Sequence, residues 1–456
     1  MASLLFKTTE CRVGVVGLYS AGKTVLLTSL VNHLADHDPD RFPFAGGKAT
    51  IRKFAPLPPD RGWNQFNYAG FRDGLVHAGQ WPKKTTDRAM YACAFERTDW
   101  RFSDAVLKLY DLPGERLADA AMLTRDHAEW SDHLLTRLHT DTPYRTASAE
   151  FLDAVGGAAA NETDILRTYR LALARLILAF KPLISPSTFL LDTAGGLAKP
   201  AAAEVLAEAR VCGADADSQF APLPAEVRAA HPDLAATFAA RYDRYKAEVA
   251  VPFLDGLRSC HSLIVLVDVT MLLAGGVGMY DDNRQIVRDL FEVLRPGESA
   301  VQTLGRNLSY LLLPRQLRPA WVNRVAFVAP KLDLVHPTDR DRVSHLLKRM
   351  VGKLATDRDG LRAGYFNASA AVSTRVLPVN GEERWLVGVP YRGPDGARIH
   401  RGDERRFAVS AIPDDWPADW PAGKFAFPEV YPSVPPRKDC PPEQINLEKV
   451  FDFVVV

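Results

Sequence analysis

The sequence has few cysteines, no long apolar run and almost no net charge, and each of these absences excludes a class of protein. Its five cysteines are scattered and form no Cys-x-x-Cys pair, which argues against a disulfide framework or a zinc site and is typical of a reducing compartment. The best apolar run, residues 263–274, is about a dozen residues long and contains Asp268, whereas a membrane span needs about 20 apolar residues. We therefore expect a cytoplasmic protein without a transmembrane segment.

The formal net charge is +1, so the chain as a whole has no strong field that would attract nucleic acid or anionic lipid. We accordingly expect no direct nucleic-acid partner. With 456 residues, the chain is long enough for about two or three domains. Composition therefore leaves the function to be inferred from local motifs.

The sequence does contain a phosphate-loop pattern, G-x-x-x-x-G-K-[ST], in Gly17 to Thr24 (GLYSAGKT). An apolar run at 11–16 precedes it and helical spacing at 25–34 follows it, which predicts the strand, loop and helix that the motif needs. Such a loop turns its N–H groups towards an anion at a helix N-terminus. A chance glycine-rich turn is the alternative interpretation. The residues that we expect to contact phosphate are Ser20, Ala21, Gly22, Lys23, Thr24 and Val25.

A second motif, Asp111-Leu-Pro-Gly114-Glu115, ends a predicted β-hairpin of residues 88–96 and 105–110. A strand that ends in Asp-x-x-Gly presents its Asp to Mg²⁺ and its Gly amide to a γ-phosphate in phosphate-loop proteins. Alone the pattern is weak, because Asp and Gly are both common in turns. Glu115 occupies the position where small GTPases carry the glutamine that orients water.

Three further segments complete a predicted nucleotide site. Thr85, or alternatively Thr86, could complete the Mg²⁺ shell from a mobile segment, although either could be an ordinary surface threonine. Lys331 and Asp333 follow the strand-like run 324–329 as K-x-D, in which the carboxylate can accept two guanine N–H bonds and the lysine stem can stack on the base. The segment that starts with Ser369 and Ala370 resembles a final base-contacting loop. The order of these motifs is that of guanine-nucleotide G domains, whose ligands lie at the carboxyl ends of parallel strands.

The remaining sequence predicts the domain organisation. Residues 116–255 are rich in Ala, Leu, Glu and Arg with helical spacing, which predicts a helical insertion domain. We expect a phosphate-loop core in 1–115 and 256–375, and a C-terminal extension, 376–456, that contains a β-hairpin and packs on the core. Residues 36–60 are rich in Pro, Asp and Gly and predict a long loop. The predicted fold class is α/β, with a mostly parallel sheet flanked by helices.

These motifs together resemble one family, the YcjX-like P-loop NTPases of bacteria, over nearly the whole chain. The shared stretches are GLYSAGKTVLLTSLVNHL, Trp81-Pro82-x-x-Thr85, DLPGE, APKLDLVH, VGVPYRGPDG and FPEVYP. The resemblance implies a Ras-like core with a helical insertion, binding of GTP and GDP with Mg²⁺, a cytoplasmic location and a link to the phage-shock response to envelope stress. The family usually has an aromatic residue in place of Leu112 and Trp in place of Arg116.

We therefore expect a Mg²⁺-dependent GTPase that works as a switch. Its metal ligands would be Thr24, Asp111 and Thr85, and its catalytic residues would be Lys23, Gly114, Glu115 and Thr85. Pro330 stands where the G-domain base motif has Asn or Thr, so an ATPase without guanine selectivity is one alternative. A nucleotide-dependent scaffold with little hydrolysis is another, and a small-molecule kinase is disfavoured because it does not need K-x-D. A protein partner is expected, and whether that partner is associated with a membrane stays open.

Overall fold

The computed structural model describes residues 9–17, 21–43, 45–82, 88–99, 104–140, 142–157, 161–180, 216–294, 322–355, 361–377, 385–391, 402–435, 437 and 440–455. The chain forms two compact units. The first unit comprises Met1–Pro113, Leu257–Arg284 and Glu298–Val456, and the second comprises Gly114–Gly256 and Gln285–Gly297. The predicted boundaries of the core, the insertion and the C-terminal extension remain predictions.

The described strands form two sheets. The strands are β1 (Thr9–Gly17), β2 (Ile51–Leu57), β3 (Asn64–Gln65), β4 (Ala89–Arg97), β5 (Asp104–Asp111), β6 (Ser262–Leu266), β7 (Arg324–Ala329), β8 (Arg362–Asn367), β9 (Arg375–Val376), β10 (Trp385–Gly388) and β11 (Arg405–Ala408). An eight-stranded sheet lies in the first unit, in the order β2-β4-β5-β1-β6-β7-β8, with β3 beside β4. Strands β5, β1, β6, β7 and β8 run parallel, and β2, β4 and β5 pair antiparallel. A separate three-stranded antiparallel sheet contains β9 to β11.

Helices follow or separate these strands throughout the described ranges. They are α1 (Lys23–Ala35), α2 (Tyr68–Arg72), α3 (His127–Thr140), α4 (Thr142–Ala147), α5 (Ala149–Gly156), α6 (Glu162–Phe180), α7 (Ala225–Ala230), α8 (Pro232–Tyr245), α9 (Val251–Arg258), α10 (Val269–Leu294), α11 (Arg340–Ala355) and α12 (Leu447–Val455). A 3-10 segment, Gly114–Thr124, begins the second unit. Within the part of the chain that the structure describes, no helix is both long and apolar enough to cross a membrane. The predicted α/β class, with a mostly parallel sheet and flanking helices, is confirmed.

Each unit has its own apolar core, because alternate strand residues and helix stripes bury their side chains together. In the first unit, α1 and the C-terminal helix α12 pack with the central strands in one cluster. Ser262 Oγ donates a hydrogen bond of 2.8 Å to the carbonyl oxygen of Val454, which ties α12 to β6. The core of the second unit is rich in aromatic residues, among them Trp130, Phe220, Phe238 and Tyr242.

The structure confirms the hairpin of β4 and β5 and corrects two other predictions of secondary structure. Residues 36–60 contain an edge strand, β2, which pairs with β4 through long-range contacts that composition does not reveal. Pro56 is tolerated there because an edge strand has one free side. The run of residues 263–269 predicts one continuous central strand, but the strand ends at Leu266 and α10 begins at Val269. The physical reason is Asp268, whose carboxylate accepts the backbone N–H of Met271 and so caps the helix.

Candidate functional site

The carboxyl ends of five parallel strands bring the predicted motifs to one edge of the sheet. Gly17 is the last residue of β1, and Asp111 is the last residue of β5. The two strands pair in parallel, with Val15 of β1 opposite Asp111 of β5. Asp268, Lys331 and Ser369 each lie two residues beyond the ends of β6, β7 and β8. Parallel strands present their carboxyl ends together, and this edge is where ligands bind in open α/β sheets. Gly17, Asp111, Lys331 and Ser369 therefore share one edge of the sheet in the first unit.

The phosphate loop has the backbone that its two glycines allow. A Cβ on Gly17 would lie 2.7 Å from Leu266 Cβ, so a larger residue would push β1 and β6 apart. Gly22 has φ of 84°, in the left-handed region where only glycine is unstrained. It forms the N-cap of α1, and its carbonyl oxygen accepts the N–H of Leu26 at 2.9 Å. The predicted contact Ser20 lies outside the described residues.

The residues after Gly22 form the start of a helix that favours an anion. Lys23 is the first residue of α1, and the first turn contains no acidic side chain, so no carboxylate opposes the positive end of the helix dipole. Lys23 Nζ donates to the carbonyl oxygen of Gly17 at 3.2 Å, which holds the ammonium group at the end of β1. Ala21 is buried, whereas Lys23, Thr24 and Val25 are partly exposed. A phosphate group here would meet the ammonium group and the positive end of the α1 dipole.

Asp111 is the described carboxylate that best fits a Mg²⁺ ligand. It is 1% exposed at the end of β5, and the next residue, Leu112, donates its N–H to the carbonyl oxygen of Val15 at 3.3 Å. In the described ranges, no group of three or more His, Cys, Asp or Glu side chains is placed to hold a metal ion. Mg²⁺ at a nucleotide does not need such a group, since it uses one or two carboxylates, phosphate oxygens and water. Thr85 and Thr86, the other predicted ligands, lie outside the described residues.

Gly114 and Glu115 belong to the second unit, where they begin the 3-10 segment Gly114–Thr124. The segment follows Asp111 directly, after Leu112 and Pro113. The backbone therefore changes from the strand β5 to a 3-10 turn at Gly114, the residue that we predict to contact the γ-phosphate. Their expected roles towards the γ-phosphate stay predictions.

The base motif forms a closed hydrogen-bond network around Asp333, which is 3% exposed. Its Oδ1 accepts a hydrogen bond from Ser369 Oγ. Its Oδ2 accepts two bonds from Ser373, one from the backbone N–H at 2.8 Å and one from Oγ at 2.5 Å. Thr374 Oγ1 also donates to the Asp333 carbonyl oxygen at 2.5 Å. The loops after β7 and β8, which the sequence predicted as separate base contacts, are thus joined through one carboxylate, and the partly exposed Ala370 lies between the serines.

Lys331 has an unusual backbone and a buried partner. Its φ of 59° is left-handed, a conformation that costs a residue with a Cβ on the order of 1–2 kcal/mol. Its Nζ lies 2.6 Å from Oδ2 of Asp268, whose side chain is fully buried. The other oxygen of Asp268 accepts bonds from Thr270 Oγ1 at 2.7 Å and from the N–H of Met271 at 2.9 Å. The carboxylate of Asp268 is therefore held between the start of α10 and Lys331.

Sequence reasoning missed Asp268 and Ser373 as members of this site. Asp268 carried a signal, because it follows a buried strand as Asp111 does, two residues after the end of β6. Ser373 carried none, since a serine four residues beyond Ser369 has no motif. Burial also lowers the pKa of the nearby Arg340 guanidinium, and the negative charge of Asp333 partly offsets that effect.

Comparison with known proteins agrees with the motifs. A model of the YcjX-like family, DUF463, matches residues 11–456. A relative from Shewanella oneidensis, named Ras-like GTPase YcjX, is 26% identical over 445 residues, which cover 87% of this chain and 84% of that protein. The family-model match spans the phosphate loop, the Asp111 segment and both predicted base loops.

Proposed function

The chain belongs to the YcjX-like family, and on that basis we propose that it is a Mg²⁺-dependent protein that binds and hydrolyses GTP as a switch. One observation carries the proposal. The phosphate loop, Asp111, Lys331 with Asp333, and Ser369 follow parallel strands at one edge of the sheet, in the chain order of a G domain. A similar protein that is named a GTPase supports the same conclusion.

We assign the phosphates to the phosphate loop and α1. Lys23, now 3.2 Å from the Gly17 carbonyl oxygen, would exchange that neutral acceptor for charged β- and γ-phosphate oxygens, with which an ammonium group forms stronger bonds. Thr24, Asp111 and Thr85 would hold Mg²⁺, which neutralises charge that develops on the phosphates. Ser20, Ala21, Gly22 and Val25 would surround the same phosphates.

Hydrolysis is assigned to the segment that follows Asp111. The amide of Gly114 would donate to the γ-phosphate, and Glu115 would orient the attacking water. A carboxylate also repels the phosphate, so we expect slow intrinsic turnover. Slow turnover suits a switch whose bound state must persist.

Asp333 is assigned to the base, where it would accept N–H bonds from guanine while Lys331 covers the ring. Ionised carboxylates offer about four acceptor positions, and Ser369 and Ser373 occupy three of them. A guanine N–H must therefore use the remaining position or share one. This occupancy, together with Pro330, is the observation that supports a second candidate function, an ATPase without guanine selectivity.

A switch protein acts through a partner that recognises one of its nucleotide states. We propose a protein partner that recognises the helices of the second unit, in agreement with the predicted insertion domain. The family resemblance supports a place in the cytoplasm and in the bacterial response to envelope stress. A scaffold that binds GTP and hydrolyses little would use the same surfaces.

Phosphate release separates these functions. The purified chain should release phosphate slowly from GTP with Mg²⁺, without an added acceptor, and the Lys23→Ala variant should release none. Equal release from ATP would favour the ATPase, and tight GTP binding without release would favour the scaffold. Release or transfer that requires a small-molecule acceptor would identify a kinase and overturn the proposal.

A further inference from the structure

We infer that Asp268 is a positioning residue for nucleotide binding, which it serves by holding the ammonium group of Lys331 so that the lysine stem is fixed beside the base. The inference rests on the proposed function, because it concerns the base side of the same site. Asp268 matches none of the nucleotide-binding motifs in the sequence. The evidence is the 2.6 Å contact between Lys331 Nζ and Asp268 Oδ2.

The geometry of Asp268 leaves its carboxylate no freedom. Its side chain is fully buried, and Oδ1 already accepts bonds from Thr270 Oγ1 and the N–H of Met271. These two bonds fix the plane of the carboxylate, so Oδ2 faces Lys331 as a fixed negative charge. The first turn of α10 therefore sets the orientation of the Asp268 carboxylate, and this orientation does not depend on Lys331.

The geometry of Lys331 shows what the ion pair achieves. Its side chain remains 37% exposed although the Nζ atom meets a buried partner. With the ammonium group held, the methylene stem is the part that can remain accessible at this edge of the sheet, two residues before Asp333. An ordered stem offers a flat apolar surface to a base without a further loss of rotamer freedom on binding. The left-handed φ of Lys331 indicates the same purpose, because a strained residue persists where its position matters.

The plainer interpretation is that Asp268 only caps α10 and that its ion pair only stabilises the fold. Buried ion pairs contribute little net stability, and their better-attested role is to specify a geometry. The two interpretations differ in one measurable respect. Removing a helix cap lowers the free energy of unfolding. Removing a positioning residue lowers the affinity for a nucleotide base and does not change the affinity for phosphates.

The experiment uses the full chain with Mg²⁺, labelled GDP, and tripolyphosphate as a competitor without a base. Asp268→Asn keeps an oxygen for Thr270 and Met271 but removes the charge. We expect it to weaken GDP binding roughly three- to tenfold, the cost of ordering one long side chain at the moment of binding. The affinity for tripolyphosphate should not change. Thr270→Val is the matched control, since it removes a cap bond and leaves the ion pair, and its GDP affinity should equal that of the parent.

A double-variant cycle tests whether Asp268 acts through Lys331. In a Lys331→Met chain the stem remains without its charge, and adding Asp268→Asn should cause no further loss of GDP affinity. The double variant leaves no buried charge unpaired, so it can be compared with the parent even if Lys331→Met alone does not fold. The inference is wrong if the double variant binds GDP as tightly as the parent, or if Asp268→Asn and Thr270→Val lose affinity equally. If the parent itself binds no GDP, the proposed function fails first and the inference fails with it.

Discussion

The ammonium group of Lys23 lies 3.2 Å from the carbonyl oxygen of Gly17, so the lysine at the end of the phosphate loop folds back to the glycine at its start. A neutral carbonyl oxygen is a weaker acceptor for an ammonium group than a phosphate oxygen is. Lys23 is only partly buried and is not a member of the apolar core cluster. The Lys23 side chain therefore contributes nothing to the apolar core cluster.

Lys23→Ala should remove nucleotide binding while the fold remains. The loss of two charge-assisted bonds predicts an affinity at least about a hundredfold lower for GTP and GDP. The free energy of unfolding should change by less than about 0.5 kcal/mol. Lys53→Ala, on the exposed edge strand β2, is the matched control and should bind as the parent does. A Lys23→Ala chain with parental affinity would refute the phosphate-loop assignment.

Asp333→Ala should reduce the preference for guanine and leave the phosphate contacts unchanged. One bond between a guanine N–H and a carboxylate is worth about 1.5–3 kcal/mol, so the ratio of GDP to ADP affinity should fall about tenfold or more. Competition by tripolyphosphate should be unaffected. Because the change also leaves Ser369 and Ser373 without their acceptor, thermal unfolding must be measured beside the titration. An unchanged affinity ratio in a folded variant would exclude Asp333 from base recognition.

Glu115→Ala should lower the rate of a single turnover of GTP with saturating Mg²⁺, while GTP affinity stays close to that of the parent. The expected reason is loss of the group that orients water. Tighter GTP binding with an unchanged rate would instead mean that the carboxylate mainly repels the γ-phosphate. Glu226→Ala, at an exposed position in the first turn of α7, controls for a general effect of losing a carboxylate. If neither rate nor affinity moves, Glu115 has no catalytic role.

The buried side chain of His33 should make the free energy of unfolding depend on pH. It is buried in α1, stacks on Phe42, and its Nε2 lies 3.1 Å from the carbonyl oxygen of Pro442. Burial is the main cause that lowers the pKa of His33 to about 4. The unfolded chain binds this proton near pH 6.5, so the stabilising effect is complete above that pH and is lost as the pH falls towards 4. His33 alone should cost the fold about 2 kcal/mol between about pH 7.5 and about pH 5.

The variant His33→Gln tests this pH dependence, because glutamine can donate to Pro442 but does not titrate in this range. Unfolding by denaturant at both pH values should show a smaller loss of stability in the variant than in the parent. Part of the loss should remain, since burial also lowers the pKa of His127. Equal losses in parent and variant would contradict the buried neutral state of His33.

Local sequence signals sufficed for the elements whose residues interact with near neighbours. The strand β1 and helix α1 that flank the phosphate-loop motif, the hairpin of β4 and β5 and the apolar strands β6 and β7 each carry a pattern within a short window of sequence. The edge strand β2 was missed because half of its residues face solvent and its partner β4 is about forty residues away. Pairing between strands so far apart in the sequence leaves no periodic pattern of apolar residues within a short window.

In the candidate site, too, some residues could be predicted from local sequence and others could not. Lys331 and Asp333 could be predicted from spacing alone, but their actual partners could not. Asp268 and Ser373 reach them from the ends of β6 and β8, and only the order of strands in the sheet brings those ends together. The polar contacts that set the directions of the Lys331 and Asp333 side chains thus depend on topology, which a linear motif does not contain.

The central claim is that this chain binds guanine nucleotides at the carboxyl edge of its sheet. The most direct test titrates labelled GTP, GDP, ATP and ADP against the purified chain with Mg²⁺, beside the Lys23→Ala variant. We predict that the parent binds GTP and GDP at least about tenfold more tightly than ATP and ADP, and that the variant binds none of them measurably. ATP binding as tight as GTP binding, or parental binding by the variant, would contradict the claim.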